Sequence, residues 1–183
     1  MNVPVHQWFP YQAQFIWSTP EIQEHLPQQW SNSVTVLNSY DITNGTWYED
    51  EEVDMNLYSE CNDVGPYEFV YAGRPWCQHF WVPDNGSNAG LLLNKQWDSA
   101  YKRAQTLWDT KVIPLYNSGQ KDESYMWLGR VIHLLGDMGV PAHTHLDKHI
   151  FADTYEKYMS DTTEVNTGNY KQWVASGTYH TGN

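Results

Sequence analysis

A mainly α-helical domain is the fold class this sequence predicts, on three observations. Apolar residues recur at helical spacing in two long stretches, strand-like alternation is weak throughout, and 183 residues suit one domain around one hydrophobic core. The expectation is therefore an all-α, multi-helix single domain over residues 1–183, with long structured loops.

Residues 5–17, with His6, Trp8, Phe9, Phe15, Ile16 and Trp17, read as a short aromatic-rich helix or turn. Residues 19–30 read as a second helix, Thr19 as its cap and Pro20 at its first position. The stretch 40–90 is dense in Gly, Asn, Asp, Pro and Tyr and reads as a long, structured loop region of the kind that carries function. Over 91–117, Leu92, Leu93, Trp97, Ala100, Tyr101, Ala104, Leu107 and Trp108 fall at helical spacing and predict a helix. Residues 122–138 give the clearest helix: Asp122 or Ser124 can cap it, Trp127, Leu128, Val131, Leu134, Leu135 and Met138 form an apolar stripe, and Gly139 and Pro141 end it. A last helix is expected from about Asp147 to Met159. The tail 160–183 is polar, which suits a chain cut before a native C-terminus.

Composition narrows the function. An apolar share of 40% with ten Trp and thirteen Tyr marks a folded chain, not a disordered one. A net charge of -12 repels polyanions and argues against duplex DNA, which needs a basic footprint. It leaves a phosphate substrate open, because bound metal ions reverse the sign locally. The sequence has no run of eighteen apolar residues, so no transmembrane segment is expected. The start, Met1 to His6, lacks the basic and apolar parts of a signal peptide. Either the protein is cytosolic or the sequence is a mature form. The low Lys content with abundant Trp, Tyr, Asn and Gly favours the second, a secreted or extracytoplasmic protein. Cys61 and Cys77 either form one disulfide or stay as thiols, and neither sits in a Cys-x-x-Cys zinc knuckle.

The chemistry concentrates between His133 and His143. His133 and Asp137 are four apart on the strongest helix and so share a face, together with Met126, Gly129 and Arg130. That face is offset from the apolar stripe, so the pair is expected to flank the core. Asp137 lies in the last helical turn, where a carboxylate opposes the helix dipole at a cost of about 0.3–1 kcal/mol. An acid in that position calls for a cation, His133 or a metal. Gly136 and Gly139 bracket it and leave room for an ion or another backbone. Pro141 then breaks the helix, and His143, His145 and His149 come after it. Taken singly these residues read as a satisfied core histidine and a solvated helix end. Jointly they read as an open zinc site, since imidazole and carboxylate suit that ion. By the same reasoning, His149, Asp153 and Glu156 alone read as a polar helix face. The run Glu49–Glu52 reads as a solvated or calcium-like acidic patch, and His79 as a structural histidine among aromatics.

The run Trp127-Leu128-Gly129-Arg130-x-x-His133-x-x-x-Asp137-x-x-x-Pro141-x-His143 resembles the signature of zinc-dependent phospholipases C and the related single-strand-specific zinc nucleases. Gly45 to Asp50, His79-Phe80-Trp81-x-Pro83 and Tyr155-Glu156 resemble other elements of that family, so the resemblance touches most of residues 6–158. It implies an α-helical fold around two or three zinc ions. Asp50, His79, His133 and Asp137 would hold one zinc, and His143 and Glu156 a second. Asp137 would bridge to a third, held also by His6 and by the chain's terminal amine and carbonyl. Two departures bear on this. Ala152 stands where the family has a histidine, leaving Asp153 or His149 to take its place. Met1 lies five residues before His6, whereas the family begins at a processed Trp, so the third zinc is lacking or held differently.

The resemblance implies zinc-dependent hydrolysis of phosphate esters, with Asp50 orienting or deprotonating the attacking water. A phospholipid is the first expected substrate, because the acidic surface disfavours long polyanions. Single-stranded nucleic acid or a nucleotide is the second. Trp8, Trp47, Trp76 and Trp81 could line a groove by stacking on a base or covering a headgroup, or belong to the core. A non-catalytic, metal-stabilised module is the reading of a different class.

Overall fold

A computed structural model describes His6, Pro10 and residues 42–52, 75–82, 89–92 and 95–145. The helices expected over 19–30 and 147–159, most of 5–17 and the tail lie outside the described residues. The described residues are mainly helical, as expected, with one short antiparallel strand pair among them.

Helix α1 spans Ile42–Glu51, so the loop expected over 40–90 is interrupted by an ordered element. Its sequence, with Asn44 and Gly45 in the interior and no apolar stripe, has weak intrinsic helicity. Tertiary packing supplies what propensity does not. Ile42, Thr43, Asn44, Thr46 and Glu49 are buried. The next element among the described residues is a 3-10 turn at Pro75–Gln78, where Cys77 is disulfide-bonded. This resolves the state of Cys77 left open by the sequence.

The helix expected from residue 91 begins only at Ala100. Ahead of it, β1 (Ala89–Leu92) pairs antiparallel with β2 (Lys95–Asp98), Ala89 opposite Asp98 and Leu92 opposite Lys95. The run Leu91-Leu92-Leu93 satisfies either periodicity, and strand pairing decides it. Helix α2 (Ala100–Leu107) is capped by Ser99, whose Oγ accepts from the Lys102 N–H at 3.2 Å. A π-helical turn at Trp108–Val112 leads into α3 (Ile113–Asn117). Pro114 cannot donate to the Thr110 carbonyl and its ring crowds that oxygen, which accounts for the widened turn. Gly119, at φ 84°, closes α3 with a paired motif: Gly119 N–H donates to the Tyr116 carbonyl and Gln120 N–H to the Leu115 carbonyl, at 3.1 and 2.9 Å.

Helix α4 (Lys121–Asp137) carries the site. Its cap is Gln120, without a side-chain bond, and not Asp122 or Ser124. Asp122 lies in the first turn, where an acid suits the dipole, and the Ser124 hydroxyl donates to the Val112 carbonyl at 2.8 Å. Leu134 joins Ala100 and Leu107 in a core cluster, with Trp81, Ala104, Trp127, Val131 and Met138 packed against it. Leu135, expected in that stripe, is 71% exposed.

The second face of α4 packs on α1 backbone to backbone. A Cβ built on Gly45 would collide with the Met126 carbonyl, and one on Gly129 with the Ile42 carbonyl. Each would also fall within 2.9 and 2.8 Å of the other glycine's Cα. The close approach buries Met126, Gly129, Arg130, His133 and Asp137. His133 and Asp137 thus lie beside the Leu134 cluster and not in it, and because α1 covers that face they are 1% and 0% exposed. After Asp137, tight turns lead to extended Val140, held so by Pro141, the first residue of α5 (Pro141–Thr144).

Candidate metal centre

Five parts of the chain meet around Asp137. Helix α4 brings His133 and Asp137 itself, α1 brings Asp50, the segment after the 3-10 turn brings His79, and α5 brings His143. His6 joins from the N-terminal region. Residues 79–81 are fixed between two helices by backbone bonds: Trp81 N–H donates to the His143 carbonyl at 3.1 Å, and Ala100 N–H to the Phe80 carbonyl at 3.0 Å.

The two oxygens of Asp137 divide the histidines. Oδ2 lies 3.1 Å from His79 Nδ1 and 3.3 Å from His133 Nε2. Oδ1 lies 3.2 Å from His6 Nε2 and 3.5 Å from His143 Nδ1. Asp50 Oδ1 closes the first group, 3.6 Å from His79 Nδ1 and 3.5 Å from His133 Nε2. A tetrahedral zinc with bonds of about 2.0–2.1 Å puts its donors roughly 3.3 Å apart. The four separations around Asp50, His79, His133 and Asp137 bracket that value. In two sets, His6–Asp50–His133 and His79–His133–Asp137, the donor atoms all lie within 4.8 Å of one another.

Hydrogen bonding orients the rings. Nδ1 of His133 donates to the Thr46 carbonyl at 2.6 Å, which leaves Nε2 to face the acids. That Nε2 is buried and has no hydrogen-bond partner among the described residues, as is His6 Nε2. Nδ1 of His143 lies 3.0 Å from the His79 carbonyl, tying α5 to the loop. The His6 ring stacks on His133 with centroids 3.6 Å apart.

Buried acids and histidines face one another across the cluster. Burial raises the cost of charge on Asp137, yet His133, His143, His6 and His79 around it hold its pKa well below the usual carboxylate range. Burial also opposes charge on His79, but Asp137, Glu49 and Asp50 outweigh it and push its pKa up to about 10. His6 is pushed down to about 4, by burial first and then by His133. Beneath the cluster lies Glu49, fully buried. Burial disfavours its charge, but Arg103 holds the carboxylate ionised. Arg103 Nε and Nη2 donate to its two oxygens, and Arg130 Nη1 lies 3.4 Å from Oε2.

The structure therefore brings together six of the eight expected metal residues: His6, Asp50, His79, His133, Asp137 and His143. Asp153 and Glu156 lie outside the described residues, as do His149, Ala152 and Trp8. His145 is exposed and bonds locally, with Nδ1 2.9 Å from the Pro141 carbonyl. Trp81 packs on the core and stacks on Tyr101, so it reads as structural. Sequence reading missed Glu49, Thr46 and Arg103. No local signal marked Glu49 or Thr46, because α1 itself falls in the stretch that reads as loop.

Fold and cluster together define a helical protein with a buried His/Asp centre that could hold divalent metal. The chain is similar to a phospholipase C of Paraclostridium bifermentans, 25% identical over 154 residues, an alignment covering 76% of the chain and 34% of that protein. The chain thus spans about a third of the length of that relative. No family model and no solved structure matches it. No helix among the described residues is long and apolar enough to cross a membrane.

Proposed function

We propose that this chain is a secreted, zinc-dependent phosphodiester hydrolase that cleaves a phospholipid headgroup in the manner of a phospholipase C. The observation that carries the reading is the set of donor separations, 3.1 to 3.6 Å, among Asp50, His79, His133 and Asp137. The similarity to a phospholipase C supports the reaction class and the phospholipid. Asp50, His79, His133 and Asp137 would hold one zinc. His143, with Glu156 and Asp153, would hold a second, and the Oδ1 side of Asp137 with His6 a third. When bound, zinc acidifies water and stabilises charge on phosphoryl oxygens.

The chain's own groups divide the remaining work. Asp50 has a quarter of its side chain exposed, while His79, His133 and Asp137 are buried. It is thus the acid of the four that meets incoming water, and its carboxylate orients that water and accepts its proton. Asp137 supplies the fixed negative charge, and the Thr46 carbonyl holds the His133 ring in its orientation.

The test is hydrolysis of a phosphocholine ester against single-stranded DNA, each with and without chelator. Chelator-sensitive release of phosphocholine is expected, with little cleavage of DNA. DNA cleavage alone would move the assignment to a nuclease. No cleavage of either by zinc-loaded protein would leave a metal-stabilised module.

A further inference from the structure

We propose that Glu49 is a positioning residue that keeps the ring proton of His79 on Nε2, leaving the lone pair of Nδ1 to the donor cluster; this rests on the metal reading of that cluster. His79 Nδ1 points at the acids, 3.1 Å from Asp137 Oδ2 and 3.6 Å from Asp50 Oδ1. Its Nε2 is buried and has no hydrogen-bond partner among the described residues, with Glu49 Oε1 3.7 Å away. A neutral imidazole carries one ring proton. With that proton on Nδ1, His79 offers the cluster no lone pair; with it on Nε2, it does. A carboxylate beside Nε2 favours the second tautomer.

The surroundings keep Glu49 in place and charged. Both its oxygens accept from Arg103, which also reaches Gln78 Oε1 at 3.5 Å. Gln78 directly precedes His79, so one guanidinium ties α1, α2 and the segment carrying the ring. The competing account is that Glu49 serves only as counter-ion to Arg103 and Arg130. The two accounts part when the ion pair is removed whole.

Glu49→Leu with Arg103→Met removes both charges of that pair and leaves Arg130 its partner Glu52, and replacing a buried pair whole is often neutral for folding. Glu49→Gln with Arg103→Met does the same but keeps an amide oxygen able to accept from Nε2–H. Zinc affinity is measured by competition with a chromophoric chelator, and folding by near-UV circular dichroism and thermal melting of the metal-free protein. The Leu/Met variant is expected to bind zinc about 10–100-fold more weakly than wild type, and the Gln/Met variant to recover most of that loss. Wild-type affinity in the Leu/Met variant, or equal loss in both, would overturn the role of Glu49 and leave the metal reading standing. A wild-type protein that binds no zinc would overturn both. If the Leu/Met variant does not fold, Glu49→Met with Arg103→Leu takes its place beside the Gln/Met variant and is judged on the same terms.

Discussion

Asp137 is the residue through which the candidate centre is connected, each of its oxygens facing two imidazoles. Replacing it with Asn keeps the shape and removes the charge. Asp137→Asn is expected to lose zinc and to lower hydrolysis by at least about 100-fold, a loss on the scale of deleting a transition-state interaction of a few kcal/mol. Protons report on the same cluster. Burial opposes charge on His79, but Asp137 and its neighbours outweigh it and push its pKa up to about 10. Its folded pKa is above the ordinary value of 6.5, so the stabilisation it brings is present below 6.5 and fades as pH rises toward 10. His6, lowered to about 4, works the other way and costs stability as pH falls from 6.5 to 4. On the proposed zinc reading, binding at pH 8 would expel a proton from His79. Calorimetry in buffers of different ionisation enthalpy should show that release, and heats independent of buffer would contradict it. The spacing of His133, Asp137 and His143 was legible because it is local. The union of Asp50 with His79 came from resemblance, and Glu49 was not legible. Its partner Arg103 lies 54 residues on, and nothing local distinguishes a buried acid from its exposed neighbour Glu52.

At the scale of elements, the centre depends on how closely α1 and α4 approach. Gly129→Ala should raise intrinsic helicity by about 1 kcal/mol. The added Cβ meets the Ile42 carbonyl, and overpacking of this kind costs typically 1–3 kcal/mol or more. Because that Cβ meets backbone and not a flexible side chain, the upper end of the cost applies, and the net expectation is a protein destabilised by about 2 kcal/mol or more in denaturant melts, with weaker zinc binding because Asp50 is pushed from His133. Unchanged stability would show that the helices are not in contact there. Helix α4 could be read from sequence because its apolar pattern is long and regular. Helix α1 could not: Thr43, Asn44, Gly45 and Thr46 are poor helix formers, held by a partner some eighty residues away. The β1–β2 pair failed for a related reason, since its pairing is tertiary and its leucines fit both periods.

For the whole molecule, buried acids and histidines at one point are costly unless a cation neutralises them. Stripping metal should lower the melting temperature, and zinc should restore it by mass action. On the proposed function, the net charge of -12 favours a compact headgroup over a polyanion. The central claim is that the cluster around Asp137 is a catalytic zinc centre. The most direct test is zinc content per chain after loading and desalting, measured beside phosphocholine ester hydrolysis on the same samples. The expected result is two or more zinc per wild-type chain, fewer in Asp137→Asn, with hydrolysis falling in step. Wild-type protein that retains fewer than two zinc, or that hydrolyses the ester equally well after chelation, would contradict it.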